Sequence, residues 1–174
     1  MRLLGAILAG GAAQRFGSDK GLALLAGRTL IEHAADRLRP RCTDIVVCGR
    51  EVAPGGYVTT ADAPAPRLGP LGGLCGALRY AAEYGFDAVL TIGCDTPAIP
   101  SDLLESVIAA RPGFVRQMPV VGCWPTELTE QLAAYVVAGD RSVRGWGAAV
   151  GATVIDAGGE IVNINRPADL AALR

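Results

Sequence analysis

Short apolar segments alternate with longer segments of helical periodicity along the chain. Leu3–Leu8 and Asp87–Ile92 carry apolar runs without polar alternation, a pattern typical of strands covered on both faces. Further short strands are predicted at Ile45–Cys48, Tyr57–Thr60 and Thr153–Asp156. This order of elements predicts an α/β fold with a mostly parallel sheet, and 174 residues fit one domain.

Helices are predicted between these strands. Thr29 and Glu32 have the spacing of a capping box, and the helix that they open should end before Pro40. A second helix is predicted at Leu74–Tyr84, with Gly85 at its C-terminal end. The remaining helices are expected at Ser101–Ala110, where Ser101 is the predicted cap, at Thr126–Ala138, at Ser142–Val150, and in a last short segment opened by Asn165 and Pro167.

The composition limits the classes of function. A net charge of −1 provides no general attraction to nucleic acid or to a membrane surface, and 51% hydrophobic residues disfavour a disordered chain. No apolar run approaches the roughly 18 residues that cross a bilayer. Met1–Ala9 is better explained as a buried strand than as a secretion signal, because Gly10 and Gly11 end its apolar run too early.

The cysteines favour a reducing compartment. Their number is odd, they form no C-x-x-C pair, and His33 is the single histidine, so a zinc site and a secreted disulfide framework are both disfavoured. A cytoplasmic protein with buried thiols is expected. The five cysteines are Cys42, Cys48, Cys75, Cys94 and Cys123.

Lys20 is the only lysine among sixteen basic residues. A codon bias towards arginine explains why lysine is absent elsewhere. A requirement for a compact, flexible ammonium group would explain why it is kept at this position.

The loop after the first strand suits a nucleoside triphosphate. It runs from Leu8 to Gly21 and holds four glycines, whose backbone N–H groups can surround phosphate oxygens, together with the cations Arg15 and Lys20. The loop matches neither G-x-G-x-x-G nor the P-loop pattern, so a dinucleotide site and a Walker ATPase both lose support. An ordinary surface loop is the alternative.

Two carboxylates follow predicted strands. Asp95 lies directly after the strand that ends at Ile92, where it can hold Mg²⁺ together with phosphate oxygens and water. An Asx turn or a helix cap is the alternative role. Asp62 follows the third strand and precedes Gly69–Gly73, a glycine turn in which Gly72 is the candidate for contact with a base or ribose. A purely structural turn is equally compatible with that pattern.

Two asparagines stand near the C-terminal end of the sequence. Asn163 and Asn165 are two residues apart on a segment predicted to be extended, so both side chains can reach one ligand. In the alternative interpretation, Asn165 caps the helix that begins near Pro167.

Together these segments resemble the nucleotidyltransferases, and in particular the molybdenum cofactor guanylyltransferases (MobA-type). The resemblance spans essentially the whole chain and implies a single three-layer, Rossmann-like nucleotidyltransferase domain over residues 1–174. The motifs that carry it are Leu8-Ala9-Gly10-Gly11 with Asp19-Lys20, Asp62 with Gly69-Pro70-Leu71-Gly72-Gly73, Cys94-Asp95-Thr96-Pro97, and Asn163-Ile164-Asn165-Arg166-Pro167.

The resemblance also implies roles for individual residues. Lys20 and Arg15 would neutralise the departing pyrophosphate, and Asp95 would be the metal ligand and, with them, part of the catalytic set. Asn163 and Asn165 would bind the second substrate, with Asn163 facing the site if Asn165 is used as a cap. The residues expected to bind the nucleotide are Leu8, Ala9, Gly10, Gly11, Lys20, Asp62, Gly72 and Asp95.

Three departures from the family pattern bear on the substrate more than on the reaction type. Cys48 stands where the family usually has an asparagine that touches the nucleotide, and Trp124-Pro125 replaces a common His-Pro. The segment between Ser101 and Trp124 is short, which removes much of a strand pair expected near the pterin substrate. Phe16 for methionine is a milder change.

The implied activity is transfer of GMP from GTP to molybdopterin, with release of pyrophosphate and with Mg²⁺ as cofactor. Neither nucleic acid nor a membrane is an expected partner, and contacts with molybdoenzymes or delivery proteins stay open. The alternatives are a cytidylyltransferase or another nucleotidyltransferase of the same fold, and a non-catalytic nucleotide-binding relative.

Overall fold

The structure is a computed structural model that describes residues 1–10 and 19–171. Nine strands occur in these residues, and each predicted strand is found within one or two residues of its expected bounds. The strands are β1 (Leu3–Leu8), β2 (Leu24–Leu25), β3 (Arg28–Thr29), β4 (Asp44–Cys48), β5 (Val58–Thr60), β6 (Ala88–Gly93), β7 (Gly113–Val115), β8 (Gly122–Pro125) and β9 (Thr153–Ile155).

Six α-helices connect or flank the strands in the same residues. They are α1 (Leu30–Leu38), α2 (Gly69–Glu83), α3 (Ser101–Ala109), α4 (Thr129–Val137), α5 (Val143–Ala149) and α6 (Pro167–Ala171). A short 3-10 helix at Lys20–Leu22 precedes the small hairpin of β2 and β3. Among the residues described, no helix is long and apolar enough to span a membrane.

Seven of the strands form one sheet in the order β5-β4-β1-β6-β8-β7-β9. The strands β5, β4, β1 and β6 are parallel neighbours, and β8 is antiparallel to both β6 and β7. Only β8 runs against the other strands of this sheet, so the prediction of a mostly parallel sheet is confirmed. The carboxyl ends of β5, β4, β1 and β6 therefore lie side by side at the same edge of the sheet.

The core has two halves, one on each face of the sheet. Along β1, Leu3 and Ile7 belong to the cluster that packs under α1 and α3, while Leu4 and Ala6 belong to the cluster that packs under α2 and α4. Successive strand residues point to opposite faces, so a continuously apolar strand must be covered on both. The predicted three-layer arrangement is confirmed.

The helix starts test the predicted caps. Thr29 and Glu32 form the expected capping box at α1. The helix α2 ends where predicted, with Tyr84 as its C-cap, but its predicted start was wrong, because it begins at Gly69 rather than at Leu74 and includes the whole glycine segment. Pro70 lies in its first turn, where a missing N–H costs no hydrogen bond. Ser101 is also not a cap, since Pro100 occupies that position and no side chain caps the helix.

The strands β7 and β8 pair within the short segment that leads to Trp124, and Trp124 itself lies in β8. Phe114 pairs with Gly122 between these strands, and the indole of Trp124 is fully buried and donates to Thr91 at 3.3 Å. Trp124, which stands where the family often has a histidine, therefore belongs to the core.

Candidate active site

The carboxyl ends of β1, β4, β5 and β6 are joined by backbone hydrogen bonds beyond the strands themselves. The N–H of Ala9 donates to the carbonyl of Cys48 at 3.2 Å, and the N–H of Gly49 donates to the carbonyl of Thr60 at 2.9 Å. The N–H of Cys94 approaches the carbonyl of Leu8 at 3.4 Å. These contacts give the loops after the four strands a common frame, as expected at the ligand-binding edge of an open α/β sheet.

A cavity of about 170 Å³ lies at this edge. Four loops, the ends of three strands and the start of α2 contribute to its wall, which combines backbone, apolar side chains and two carboxylates. The lining residues are Leu8, Gly10, Cys48, Asp62, Gly69, Pro70, Gly73, Gly93, Asp95 and Val120. Of the predicted nucleotide-binding residues, Leu8, Gly10, Asp62 and Asp95 line this cavity, and the N–H of Ala9 donates to the carbonyl of Cys48, another lining residue.

Gly10 and Gly49 bring two loops into direct backbone contact. A Cβ atom on Gly10 would lie 2.8 Å from the Cα of Gly49, and Gly49 has φ +80°, a conformation that side chains other than glycine rarely adopt. Sequence reasoning missed Gly49 because the loop after β4 was not among those expected to carry the site. Applying the same rule to every parallel strand end would have found it.

Asp62 is half-buried in the cavity wall. One of its oxygens, Oδ2, accepts the N–H of Leu68 at 3.3 Å, and burial raises the pKa of this carboxyl above its ordinary value. Its other oxygen, Oδ1, faces two glycines, because a Cβ on Gly49 would lie 3.3 Å from it and a Cβ on Gly73 would lie 3.8 Å away. Asp62 therefore keeps one acceptor directed towards the open space.

The second glycine segment borders the cavity, but the predicted residue Gly72 is not among the lining residues. A Cβ on Gly72 would meet the Cβ of Leu68 at 2.7 Å and the Cγ of Asp62 at 3.1 Å, so Gly72 packs behind the aspartate. Of this segment, Gly69, Pro70 and Gly73 line the cavity. Because the segment is helical, residues four apart lie on the same face, so Gly69 and Gly73 both line the cavity while Gly72 packs against Leu68 and Asp62.

Lys20 connects three chain segments at the site. Its Nζ lies 3.0 Å from Oδ2 of Asp95 and 3.4 Å from Oδ1 of Asn165. The side chains of Lys20 and Asp95 are 19% and 25% exposed, so the ion pair is shielded but open to a ligand. The only lysine of the chain thus lies against the predicted metal ligand, 75 residues away in sequence.

The side chain of Asn165 is directed to the site and is not used as a helix cap. It points to Lys20 instead. Asp169 accepts the N–H of Asn165 at 2.7 Å and that of Arg166 at 2.8 Å, and these bonds lower the pKa of the Asp169 carboxyl. The N–H of Ile164 donates to the carbonyl of Asp95 at 2.8 Å, which ties this segment to the site.

Asn163 has an unused acceptor. Its Oδ1 is buried and finds no hydrogen-bond partner among the residues that the structure describes. Leaving a buried carbonyl oxygen without a partner is costly, and such an atom usually awaits a ligand or water.

The surroundings of Asp95 suit a divalent cation bound chiefly through phosphates. A Cβ on Gly93 would lie 2.4 Å from Oδ1 of Asp95, so only glycine leaves this oxygen its space. Within residues 1–10 and 19–171, no group of three or more His, Cys, Asp or Glu side chains could enclose a metal ion. A single carboxylate with ligand oxygens and water is the arrangement that Mg²⁺ commonly takes.

The thiols near the site are poor nucleophiles. Burial raises the pKa of Cys48 and of Cys94 to about 12 each, so both stay protonated at neutral pH. The Nε2 of His33 lies 2.7 Å from the carbonyl oxygen of Leu25, and His33 is not among the residues that line the cavity. The expectation of buried cysteines is confirmed for four of the five, and Cys42 is half-buried.

A second and wider cavity, of about 560 Å³, adjoins the first at Gly10 and Asp62. Arg50 lines it, and its guanidinium forms an ion pair with Asp19, the residue before Lys20. Sequence reasoning did not identify Arg50, and no local pattern marks it, because its partner is 31 residues away. The predicted roles of Gly11 and Arg15 lie outside the described residues.

Comparison with known proteins gives a consistent result. Residues 5–154 match the family model described as the MobA-like NTP transferase domain. The chain is 37% identical to the molybdenum cofactor guanylyltransferase of Cereibacter sphaeroides, with 98% of this chain and 95% of that protein covered.

Solved structures share the fold at lower identity. The molybdopterin-guanine dinucleotide biosynthesis protein A of Archaeoglobus fulgidus is 18% identical, with a TM-score of 0.69 over 98% of this chain and 96% of that one. A manganese complex of a Mycobacterium tuberculosis protein is 15% identical, with a TM-score of 0.60 over 99% of this chain and 98% of that one.

Proposed function

Because the chain belongs to the MobA-like NTP transferase family, we propose that it transfers GMP from GTP to molybdopterin, releasing pyrophosphate. The choice of substrates is supported by the Cereibacter sphaeroides relative, which is a molybdenum cofactor guanylyltransferase. The proposal treats residues 1–174 as one nucleotidyltransferase domain.

The observation that carries the proposal is the cluster of Lys20, Asp95 and Asn165 beside the cavity at the sheet edge. The ammonium group of Lys20 lies 3.0 Å from a carboxylate oxygen of Asp95 and 3.4 Å from the amide oxygen of Asn165. A cation suited to phosphate oxygens thus adjoins a carboxylate suited to a metal ion, which is what transfer at a phosphate centre requires.

The nucleotide is proposed to lie along the cavity, with its base and ribose near Asp62 and Gly73 and its phosphates near Lys20. The backbone at Leu8 and Gly10 would follow the nucleotide closely, because the close approach of Gly10 and Gly49 leaves no side chain in the way. Asp62 would accept a hydrogen bond through Oδ1, since Oδ2 already accepts from Leu68. Arg15 and Gly11 would complete the phosphate contacts.

The chemistry needs no nucleophile from the protein. A terminal phosphate oxygen of the pterin is already anionic and attacks the α-phosphorus of GTP in line with the leaving group. The new P–O bond forms as the bond between the α-phosphorus and its bridging oxygen breaks, and the electron pair leaves with pyrophosphate. The buried thiols of Cys48 and Cys94 support this assignment, because their raised pKa values keep them protonated.

The protein's contribution is positioning and charge. Lys20 would exchange its contact with Asp95 for the phosphates and stabilise the charge that grows on pyrophosphate. Asp95 would hold the divalent cation through the oxygen that Gly93 leaves free, and the bound cation would supply charge neutralisation at the phosphates. The manganese in the Mycobacterium tuberculosis protein supports a divalent cation, and Mg²⁺ is our proposal for this chain.

The acceptor is proposed to bind beside the C-terminal segment. Asn165 reaches the ammonium of Lys20, and the buried Oδ1 of Asn163 offers an unused acceptor nearby in sequence. Amide groups can donate to phosphate oxygens and accept from the amino and ring N–H groups of a pterin.

The test is turnover of purified protein with molybdopterin, MgCl₂ and either GTP or CTP, followed by pyrophosphate release and mass analysis of the product. We expect pyrophosphate and a guanine dinucleotide with GTP, and a much lower rate with CTP. Turnover with CTP in preference to GTP would overturn the guanylyl assignment, and GTP binding without turnover would indicate a non-catalytic relative.

We place this reaction in the cytoplasm. The placement is supported by the cysteines, all of which are free thiols and four of which are buried. The proposed small-molecule partners are GTP and molybdopterin. Contacts with molybdoenzymes or delivery proteins would follow product release, and a pull-down with an apo-molybdoenzyme would test them.

A further inference from the structure

We propose that Arg50 is a positioning residue that holds Lys20 at the site through Asp19. This inference rests on the proposed function only for its kinetic consequence, because the structural arrangement can be tested without turnover. Arg50 itself forms no hydrogen bond or ion pair with Asp95 in the structure. Its proposed effect on the reaction is exerted through Asp19 and Lys20.

The guanidinium of Arg50 is fixed on both sides. Its Nε donates to the carbonyl of Val52 at 2.9 Å, which anchors the side chain to its own loop after β4. Its Nη1 donates to Oδ1 of Asp19 at 3.2 Å, and its Nη2 donates to Oδ2 of the same carboxylate. The side chain of Arg50 is only 14% exposed. A two-pronged bond of this kind restricts both the distance and the orientation of the carboxylate.

Asp19 transmits this restraint to the backbone around Lys20. Its Oδ1 also accepts the N–H of Gly21 at 3.1 Å, and this bond caps the 3-10 helix that begins at Lys20. The carboxylate therefore holds the residue before the lysine and the residue after it. With both flanking positions held, the Lys20 side chain starts from a defined point and reaches Asp95.

Gly21 gives an independent indication that the loop is built around Arg50. A Cβ on Gly21 would lie 2.7 Å from Nη1 of Arg50 and 2.9 Å from the Cδ1 of Ile31. Only glycine lets the backbone approach the guanidinium and α1 so closely. The position of Arg50 and the identity of residue 21 are therefore coupled.

The alternative is that Arg50 binds the nucleotide directly. The side chain lines the wider cavity, and the three N–H groups used by Val52 and Asp19 leave two of its five without a protein partner among the described residues. The two roles differ in one respect. A positioning residue loses its effect when Lys20 is neutralised, whereas a direct ligand keeps it.

The first measurement uses the single lysine of the chain. Protein grown with ¹³C-lysine gives one side-chain Cε–Hε signal, from Lys20, so its environment and mobility can be read directly by NMR without any substrate. In Arg50→Ala and in Asp19→Asn, we expect this signal to move towards that of free lysine and its relaxation to show greater motion. Arg28→Ala is the matched control, since it removes another arginine–aspartate ion pair (Arg28–Asp36, 2.6 Å) that includes neither Asp19 nor Lys20, and should leave the signal unchanged.

The second measurement is a double-mutant cycle on turnover with Lys20→Met. Arg50→Ala alone is expected to lower kcat by about 10- to 100-fold, the range typical of a misplaced catalytic group. Arg50→Ala added to Lys20→Met is expected to lower kcat no further. Arg50→Lys should recover only part of the loss, because an ammonium cannot form the two-pronged bond.

The outcomes separate the two proposals. An unchanged Lys20 signal in both Arg50→Ala and Asp19→Asn overturns the positioning role, and a cumulative loss in the double variant assigns Arg50 to direct binding. Absence of turnover in the wild-type protein counts against the proposed function alone, since the NMR arm still decides the inference. Melting temperatures of all variants confirm that they are folded.

Discussion

Replacing Lys20 by methionine separates the catalytic role of this residue from its structural one. Methionine keeps an unbranched side chain that fills the same space, and removes the positive charge. The ammonium group contacts Asp95 at 3.0 Å and Asn165 at 3.4 Å, and the Lys20 side chain is 19% exposed. The substitution therefore deletes one partly shielded ion pair and one long hydrogen bond while leaving the packing in place.

The expected changes in stability and in rate differ in size. A partly exposed ion pair contributes about 1 kcal/mol or less to the free energy of unfolding. In a protein of this length that corresponds to a fall in melting temperature of roughly 2–4 °C. Loss of one charged donor to a transition state costs about 10²- to 10³-fold in kcat, or ~2.7–4 kcal/mol. Activity should therefore fall far more than stability.

The assay measures initial rates of pyrophosphate release with Mg-GTP and molybdopterin, alongside thermal melts of the same preparations. Lys20→Arg is the charge-preserving comparison and should retain more activity than Lys20→Met. A rate for Lys20→Met within about twofold of the wild type would remove Lys20 from the mechanism. A melting temperature lowered so far that the variant is partly unfolded at the assay temperature would refute the claim that the ion pair is structurally minor.

Three further predictions follow from the packing and the capping contacts. Gly73→Ala adds a Cβ at the cavity wall, 3.1 Å from Cδ2 of Leu8 and 3.2 Å from the Cβ of Cys48, and should weaken GTP binding about tenfold by calorimetry; unaltered affinity would exclude Gly73 from the nucleotide site. Gly76→Ala brings a Cβ to 2.1 Å from the carbonyl oxygen of Ala61 and should cost about 1–3 kcal/mol in chemical denaturation, whereas Gly159→Ala, with no atom within 4 Å, should be close to neutral. Hydrogen bonds from the capping threonine lower the pKa of Glu32 below its ordinary 4.5, so the ionised carboxylate stabilises the fold above about pH 4.5, and this contribution is lost as the pH falls through the lower pKa of the folded state. In Glu32→Gln, the melting temperature should therefore fall less steeply as the pH is lowered through this range. A pH dependence identical to that of the wild type would contradict this.

The elements that could be predicted from the sequence are those specified by local chemistry. The strand β1 is apolar at every position because both of its faces are covered, and the capping box at Thr29 uses only residues three apart. Asp95 could be identified because the carboxyl end of a parallel strand is a place where ligands bind. In each case the signal lies within a few neighbouring residues.

The start of α2 shows where local signals fail. Its glycines have low intrinsic helix propensity, so the segment Gly69–Gly73 resembles a turn. The helix forms there because it buries Leu71 completely against the sheet. It also packs so closely that a side chain at Gly76 would collide with the carbonyl of Ala61. Tertiary packing, which requires small residues on this face, overrides propensity.

The contacts that assemble the site were also beyond the sequence. Asn165 approaches Lys20 across 145 residues, and Arg50 meets Asp19 across 31. A helix cap was the simplest local explanation for Asn165, yet Asp169 bonds the backbone N–H at that position and frees the amide side chain. Such pairings depend on how strands are ordered in the sheet, which no window of neighbouring residues contains.

The central claim is that the reaction occurs at the α-phosphorus of GTP with molybdopterin as the acceptor. The direct measurement follows two labels in parallel incubations, one with α-³²P-GTP and one with γ-³²P-GTP, each with molybdopterin and MgCl₂. The account predicts that the α label appears in the pterin dinucleotide while the γ label appears in pyrophosphate. Transfer of the γ label to the pterin, or release of the γ label as inorganic phosphate with GDP as the other product, would contradict it.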